Sequence, residues 1–371
     1  MTTAAPVQKN PLDEARTLRG ELYRSPAIFA EELQRLFAKL WLCVGREADV
    51  PEPGDYFTRQ LGPESVLVVR GEDGKVRAFH NVCRHRGSRL VLDEEGRGLH
   101  RFQCPYHAWT YGLDGTLRNA PLMEKNACFR KDDFPLVSVR AESRTGLLFV
   151  NLDDGAPPLS RQLAGLPDLS RFRLGELRRV ERLAYDVEAD WKLVGENYGE
   201  CYHCPLAHPH LNRVSDYRNV GWSFHGEFFN GGPMELNAGF NTLTMTGKTD
   251  RPPLTDREED HRRVHYYHFF PGTFLSVLPD YALVHTLWPV AAGKTRVLTD
   301  WLFPDETVAR DGFDASDAVE FWHLTNQQDW ELCARVQLGI RSRGHRPGPY
   351  SELEGCVHTF DAWYQDYMGL Q

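Results

Sequence analysis

With 371 residues the chain has room for about two domains and a large core, and 41% hydrophobic with 12% aromatic residues places it among globular proteins, away from the disordered and fibrous classes. A net charge of -9 disfavours the broad basic face that nucleic acid or an anionic membrane needs and points to small molecules or proteins as partners. The N-terminus M-T-T-A-A-P carries no secretory pattern and no run of about 18 apolar residues offers a membrane span, so a cytoplasmic location is expected, in which the eight cysteines act as metal ligands or small buried residues rather than as a disulfide scaffold.

The first predicted element is an amphipathic helix opened by Ser25 as N-cap and Pro26 at the first helical position. Ile28, Phe29, Leu33, Leu36, Phe37 and Leu40 recur at helical spacing as its buried face, giving a helical segment over residues 1–45 that packs on a later domain. From Pro51 the texture turns to short β runs. Ser65 to Arg70 and Val76 to Asn81 flank Glu72-Asp73-Gly74, a hairpin signal, and a second hairpin turns at Leu113-Asp114-Gly115. Gly146 to Leu152 is an apolar strand and residues 153–158 read as a linker, so residues 46–157 are expected to form a small antiparallel β domain.

Inside that domain, N-V-C-R-H-R-G and C-P-Y-H offer Cys83 with His85 and Cys104 with His107. A structural zinc finger usually takes like pairs. One thiolate and one imidazole per loop instead suit a two-iron cluster with both cysteines on one iron and both histidines on the other. The pattern resembles the Rieske [2Fe-2S] motif, with Arg84 where proline is common. Cys43, Cys128, Cys333 and Cys356 stand alone and are expected to be small packed side chains.

Past the linker, Arg179 to Glu188 is a predicted strand, and Asp190 N-caps a helix running from Trp191 to about Cys204. Residues 222–303 suggest several antiparallel strands, and a long helix follows over Ser316 to Leu338. The whole reads as α+β: an N-terminal antiparallel β domain, then residues 158–371 as a catalytic domain with an antiparallel β-sheet and covering helices.

The predicted helix ends E-N-Y-G-E-C-Y-H-C-P-L-A-H-P. Glu200 and His203 share a helical face, while His203 and His208, five apart, are about 140° apart on an ideal helix, so Pro205 must break it before both imidazoles meet one ion. Two histidines and a carboxylate with open positions make the facial triad of non-haem iron oxygenases. Asp329, in N-Q-Q-D-W on the late helix, is the candidate carboxylate. Bare, this string is explained equally well by surface histidines; beside the cluster motif it gains weight. Cys201 and Cys204 form a C-x-x-C that alone would suggest zinc or redox chemistry.

Both motifs, in this order across nearly the whole chain, resemble the catalytic α subunit of Rieske non-haem iron oxygenases. The resemblance implies that Cys83, His85, Cys104 and His107 hold the cluster and that His203, His208 and Asp329 bind a mononuclear Fe(II). It implies that Glu200 bridges His107 of one subunit and an iron histidine of its neighbour, hence a homotrimer with active sites at its junctions. It also implies O2 as cosubstrate and electrons from NAD(P)H through a separate flavin and iron–sulfur reductase; no G-x-G-x-x-G fingerprint opens a helix after a strand here. Glutamate in E-C-Y-H-C, and the ending from Val336 to Gly344 with Phe360-Asp361-Ala362-Trp363-Tyr364, look like the branch acting on quaternary ammonium compounds such as glycine betaine, carnitine and proline betaine. That implies monooxygenation at an N-methyl carbon, demethylation and formaldehyde release. A cation lacking N–H donors is held by aromatic faces, for which Trp222, Phe224, Phe228, Phe229, Tyr266, Tyr267 and Phe269 are the candidates. Hydroxylation or dihydroxylation of an aromatic or apolar molecule is the alternative activity, and an electron carrier using the cluster alone is the alternative class.

Overall fold

The computed structural model describes residues 11–219 and 223–370. The chain divides into two compact units, one of Phe37–Pro157 and one of Met1–Leu36 with Pro158–Gln371.

The first unit is built from ten strands: β1 Leu42–Arg46, β2 Tyr56–Leu61, β3 Glu64–Arg70, β4 Val76–His80, β5 Glu95–Gly96, β6 Phe102–Gln103, β7 Thr110–Tyr111, β8 Leu117–Asn119, β9 Ser138–Arg144 and β10 Leu147–Asn151. Seven form an antiparallel sheet in the order β1-β10-β9-β4-β3-β2-β5, and β6-β7-β8 form a small sheet of their own. Val66, Leu67, Val68 and Val69 are fully buried because β3 is a continuous apolar run covered on both faces. The expected hairpins lie between β3 and β4 and between β7 and β8, turning at Gly74 (φ 77°) and Gly115 (φ 83°), where the positive φ suits glycine. The division falls at Phe37, earlier than the residue-46 boundary expected, because Leu42–Arg46 is a strand paired to β10.

In the second unit, α1 Pro26–Glu32 starts as read, with Ser25 Oγ accepting from the Ile28 N–H at 3.4 Å. It then widens into a π-helical turn over Leu33–Phe37, which shifts its face: Leu36, Phe37 and Leu40 are buried, whereas Ile28, Phe29 and Leu33 are half-buried. Strands β11 Leu177–Val187, β12 Phe224–Gly226, β13 Phe229–Glu235, β14 Arg263–Phe269, β15 Thr273–Val277, β16 Ala282–Ala291 and β17 Lys294–Pro304 make one antiparallel sheet. Its order is β11-β17-β16-β15-β14-β13-β12. Besides two four-residue helices, Leu159–Gln162 and Asp305–Val308, this unit carries α2 Trp191–Tyr198, α3 Cys204–Ala207, α4 Pro209–Val214, α5 Ser316–Ile340 and α6 Gly355–Met368, with α2 packed on both α5 and α6.

Asp190 caps α2, its Oδ1 accepting from the Lys192 N–H at 3.1 Å. The helix stops at Tyr198 instead of reaching Cys204. Gly199 is a poor helix former, and the Glu200 carboxylate accepts the N–H groups of Tyr202 and His203 in place of helical carbonyls. No described helix is long and apolar enough to cross a membrane.

Candidate metal centres and active site

The two cluster loops of the first unit have the same backbone design. Cys83 N–H donates to Ser88 O at 2.8 Å and Gly87 N–H to Cys83 O at 3.0 Å; Cys104 N–H donates to Trp109 O at 2.8 Å and Ala108 N–H to Cys104 O at 3.1 Å. Equivalent positions turn with positive φ, Gly87 at 75° and Ala108 at 57°. Each loop thereby buries its thiol and exposes its imidazole: Cys83 and Cys104 are each 2% exposed, while His85 and His107 face solvent with ring centroids 4.7 Å apart. Trp109 stacks on His85 at 4.8 Å and Tyr106 on His107 at 3.8 Å.

Donors face the sulfurs. Tyr111 OH lies 3.3 Å from Cys83 Sγ and accepts the Arg84 N–H at 3.0 Å. Burial works against a Cys104 thiolate, yet the N–H groups of Tyr106 and His107 outweigh it and lower the thiol's pKa. Two covered, hydrogen-bonded sulfurs with two open imidazoles fit a cluster held at a surface tip.

In the second unit the turn after α2 carries Glu200 and His203, and the helix breaks twice. His203 caps α3 and His208 stands between α3 and α4 at φ -124°, ψ 68°. The break between the imidazoles comes from Pro209, which disfavours α geometry at His208; Pro205, expected to supply it, sits in the first turn of α3, where its missing N–H is harmless. Asp329 comes from α5. Its Oδ1 is 3.2 Å from His203 Nε2 and 2.8 Å from His208 Nε2, and the two Nε2 atoms are 3.1 Å apart. The outer nitrogens are both engaged: His203 Nδ1–H donates to Glu200 Oε1, and His208 Nδ1–H to Gln328 Oε1 at 2.8 Å. Those partners set the tautomer that leaves each Nε2 lone pair free for a metal, so the donor set fits a mononuclear ion.

Electrostatics agree with that fit. Burial disfavours charge on His203, but hydrogen bonds with Asp329 and Glu200 push it up to about 10. Burial likewise opposes the Asp329 carboxylate, which the two imidazoles hold down at about 2. A metal ion bound here would be held by the same three donors in place of the protons they share. Cys204 also brings its sulfur near, the donor atoms of His203, Cys204 and His208 all lying within 4.8 Å. It is joined to Cys201 in a disulfide, against the expectation of thiols, and has no thiolate to give. Cys43, Cys333 and Cys356 are buried as expected; Cys128 is exposed.

A cavity opens beside this triad, walled by Tyr198, Tyr266, Phe274, Trp322 and Trp330. Among the described residues, Tyr266 is the one expected aromatic that lines it. β14 alternates faces, so Tyr267 and Phe269 point away and stack with each other at 6.1 Å, and Phe224 stacks on Tyr267 at 5.7 Å. Phe229 is fully buried in the sheet, Phe228 packs edge-on against Trp363 and Tyr367, and Trp222 lies outside the described residues. Trp322, Asn326, Asp329 and Trp330 were legible together, since they recur at helical spacing on α5.

A β domain with two Cys-His loops and an α+β domain with a buried His-His-Asp set define an iron–sulfur oxygenase of the two-centre type. Residues 40–130 match the Rieske [2Fe-2S] domain and residues 174–370 the ring hydroxylating alpha subunit catalytic domain; the chain belongs to the Rieske non-haem iron oxygenases. It is 33% identical to the glycine betaine monooxygenase oxygenase subunit of Pseudomonas aeruginosa, over 96% of this chain and 90% of that one. It is 33% identical to the carnitine monooxygenase oxygenase subunit of Acinetobacter baumannii, over 91% and 88%. Among solved structures it resembles the quaternary ammonium Rieske monooxygenase CntA in complex with its substrate γ-butyrobetaine (TM-score 0.81, 28% identity, 97% of this chain and 99% of that one).

Proposed function

We propose that this chain is the terminal oxygenase of a monooxygenase that hydroxylates an N-methyl carbon of a quaternary ammonium compound. The observation that carries this is the aromatic cavity beside the His-His-Asp set: Tyr198, Tyr266, Phe274, Trp322 and Trp330 line it, and an aromatic lining suits a cation that has no N–H to donate. The similarity to betaine and carnitine oxygenases supports it.

In this reading Cys83, His85, Cys104 and His107 hold the [2Fe-2S] cluster, and His203, His208 and Asp329 hold Fe(II). The bound iron supplies dioxygen activation, with electrons from NAD(P)H through a separate flavin and iron–sulfur reductase. The protein's own groups position and insulate. Gln328 and Glu200 fix the imidazole tautomers, the aromatic walls exclude water and orient the methyl group, and Glu200 carries the electron path from the cluster of a neighbouring copy. The exposed tips of His85 and His107, and the exposed Tyr202 and Leu206 beside Glu200, suit such docking within a homotrimer. The cytoplasm, with its reduced nicotinamide pool, is the fitting compartment.

The balance is simple. O2, two electrons and two protons convert N–CH3 to N–CH2OH and water; the carbinol then loses a proton, its C–N bond breaks, and formaldehyde leaves the tertiary amine. The test measures NAD(P)H consumption with a Rieske reductase against betaines, carnitines and simple aromatics. Formaldehyde in step with NAD(P)H is expected. A hydroxylated product without formaldehyde would assign the protein to ring or alkyl hydroxylation.

A further inference from the structure

The C-x-x-C of Cys201 and Cys204 lies within the metal centre, yet the reaction above makes no use of it. Its two sulfurs are joined and bracket His203 in the chain. Both cysteines line the cavity beside the triad, although neither is more than 6% exposed. Cys204 stands between the two imidazole ligands, and backbone bonds hold it there. Its N–H donates to Cys201 O at 3.2 Å and its carbonyl accepts the His208 N–H at 3.0 Å, while His203 O accepts the Ala207 N–H at 3.0 Å. None of these bonds involves a sulfur, so breaking the S–S bond frees the side chain and leaves the peptide held.

One ring nitrogen each of His203 and His208 and the Cys204 sulfur already lie within 4.8 Å of one another. Around a tetrahedral zinc ion, with Zn–S about 2.3 Å and Zn–N about 2.0–2.1 Å, sulfur and nitrogen stand about 3.5 Å apart. A freed cysteine closes that gap by turning about χ1. A disulfide sulfur carries no charge and is a poor ligand, whereas a thiolate is soft and selects zinc or Cu(I). The bond therefore decides the character of the centre. With it closed, the donors are two imidazoles and a carboxylate, which suit iron with positions left open; with it broken, Cys204 takes one of those positions.

We propose that the Cys201–Cys204 disulfide is a guard on the mononuclear centre: when a dithiol opens it, the Cys204 thiolate joins His203 and His208 in a site that takes Zn2+. The opening is a thiol–disulfide exchange. One thiolate of the reductant attacks a cysteine sulfur, the S–S bond breaks, and the second thiol of the reductant resolves the mixed disulfide. Two electrons and two protons pass to the cysteines, and the reductant leaves as its own disulfide. Cys204 gives up its proton when zinc binds. The inference rests on the metal set assigned above and not on the substrate.

The test uses the full chain with its cluster in place and the mononuclear site emptied, loads it with zinc sulfate, and reads zinc X-ray absorption, to which iron does not contribute. Wild type with the disulfide intact is compared with wild type opened by dithiothreitol, which is removed before zinc is added; maleimide labelling counts the two thiols released. A sulfur scatterer at about 2.3 Å beside imidazole nitrogens is expected only after opening. Cys201→Ser, which frees Cys204 without any reductant, should show that sulfur from the start, and Cys204→Ser should lack it in every state. A merely structural disulfide would make the two variants alike. Nitrogen and oxygen scatterers alone in the opened wild type, or a sulfur that persists in Cys204→Ser, overturns the proposal and leaves the iron site standing, and so does a bond that the dithiol leaves closed. Zinc with no imidazole in its shell in any state refutes the metal set itself, and the guard falls with it.

Discussion

Glu200 holds three hydrogen atoms of its own turn: the N–H groups of Tyr202 and His203 and the Nδ1–H of His203. A carboxylate fixed in this way keeps a steady geometry, as the proposed bridging role needs, and its charge strengthens the bond to the imidazole. Glu200→Gln is expected to keep both metals and slow reoxidation of a reduced cluster by about 10- to 100-fold, as rapid mixing with O2 and substrate would record; normal reoxidation would remove the bridging role. Asp329→Ala should lose the mononuclear metal and turnover while the visible spectrum of the cluster stays, and an unchanged iron content would refute the assignment. Asp55 shows a purely structural carboxylate. Burial raises its pKa, but the N–H groups of Glu52 (3.2 Å) and Gly98 (3.1 Å) and Arg97 Nη1 (3.0 Å) outweigh it and leave it below the usual value. A folded-state pKa lower than the unfolded one stabilises above the unfolded value and loses that contribution as pH falls through the folded one. Asp55→Asn should therefore cost about 1–2 kcal/mol at pH 7, with the gap to wild type closing below about pH 4 in urea titrations.

At the level of elements, the catalytic unit is tied together by a buried charge cluster. Lys192 Nζ, fully buried at the start of α2, is 2.6 Å from Glu32 Oε1 at the end of α1 and 2.7 Å from Asp190 Oδ1. Glu32 also accepts from Trp191 Nε1 at 2.9 Å and from Tyr364 OH of α6 at 2.6 Å. Three helices thus meet on one carboxylate, and α2 is the helix that leads into Glu200 and His203. Lys192→Met would strand two carboxylates without a counter-charge and should lower unfolding free energy by about 3–5 kcal/mol, read from the denaturation midpoint; an unmoved midpoint would show that the carboxyls neutralise themselves. The periodicity of α1 and α5 was visible in the sequence, as were the hairpins at Gly74 and Gly115. The end of α2 was not, because a side chain took its backbone donors, and a helical pattern carries no sign of that competition.

For the molecule as a whole, the cluster unit is contiguous and the catalytic unit is not. Phe37–Pro157 has its own sheet and its own core, with Val66 to Val69 fully buried. Residues 37–157 made alone are expected to fold and carry the visible spectrum of the cluster, with one cooperative transition; an unfolded fragment would show that the core needs the rest of the chain. Residues 158–371 made alone should not fold stably, since Lys192 would be buried without Glu32.

By itself the sequence determined the two candidate ligand sets. Ligand spacing is a local constraint, set by the few residues of a loop, so Cys83 to His85, Cys104 to His107 and His203 to His208 could be read from one-dimensional order. The α+β class followed in the same way from local periodicity. Which aromatic residues face the cavity was decided only by the tertiary structure. The residues of β14 alternate between two faces, and pairing with β13 and β15 determines which face Tyr266 shares with His268 and which face Tyr267 shares with Phe269. The pairing of His285 with Asn326 likewise joins a strand to a helix 41 residues away. Contacts of that kind come from packing, and spacing along the chain does not record them.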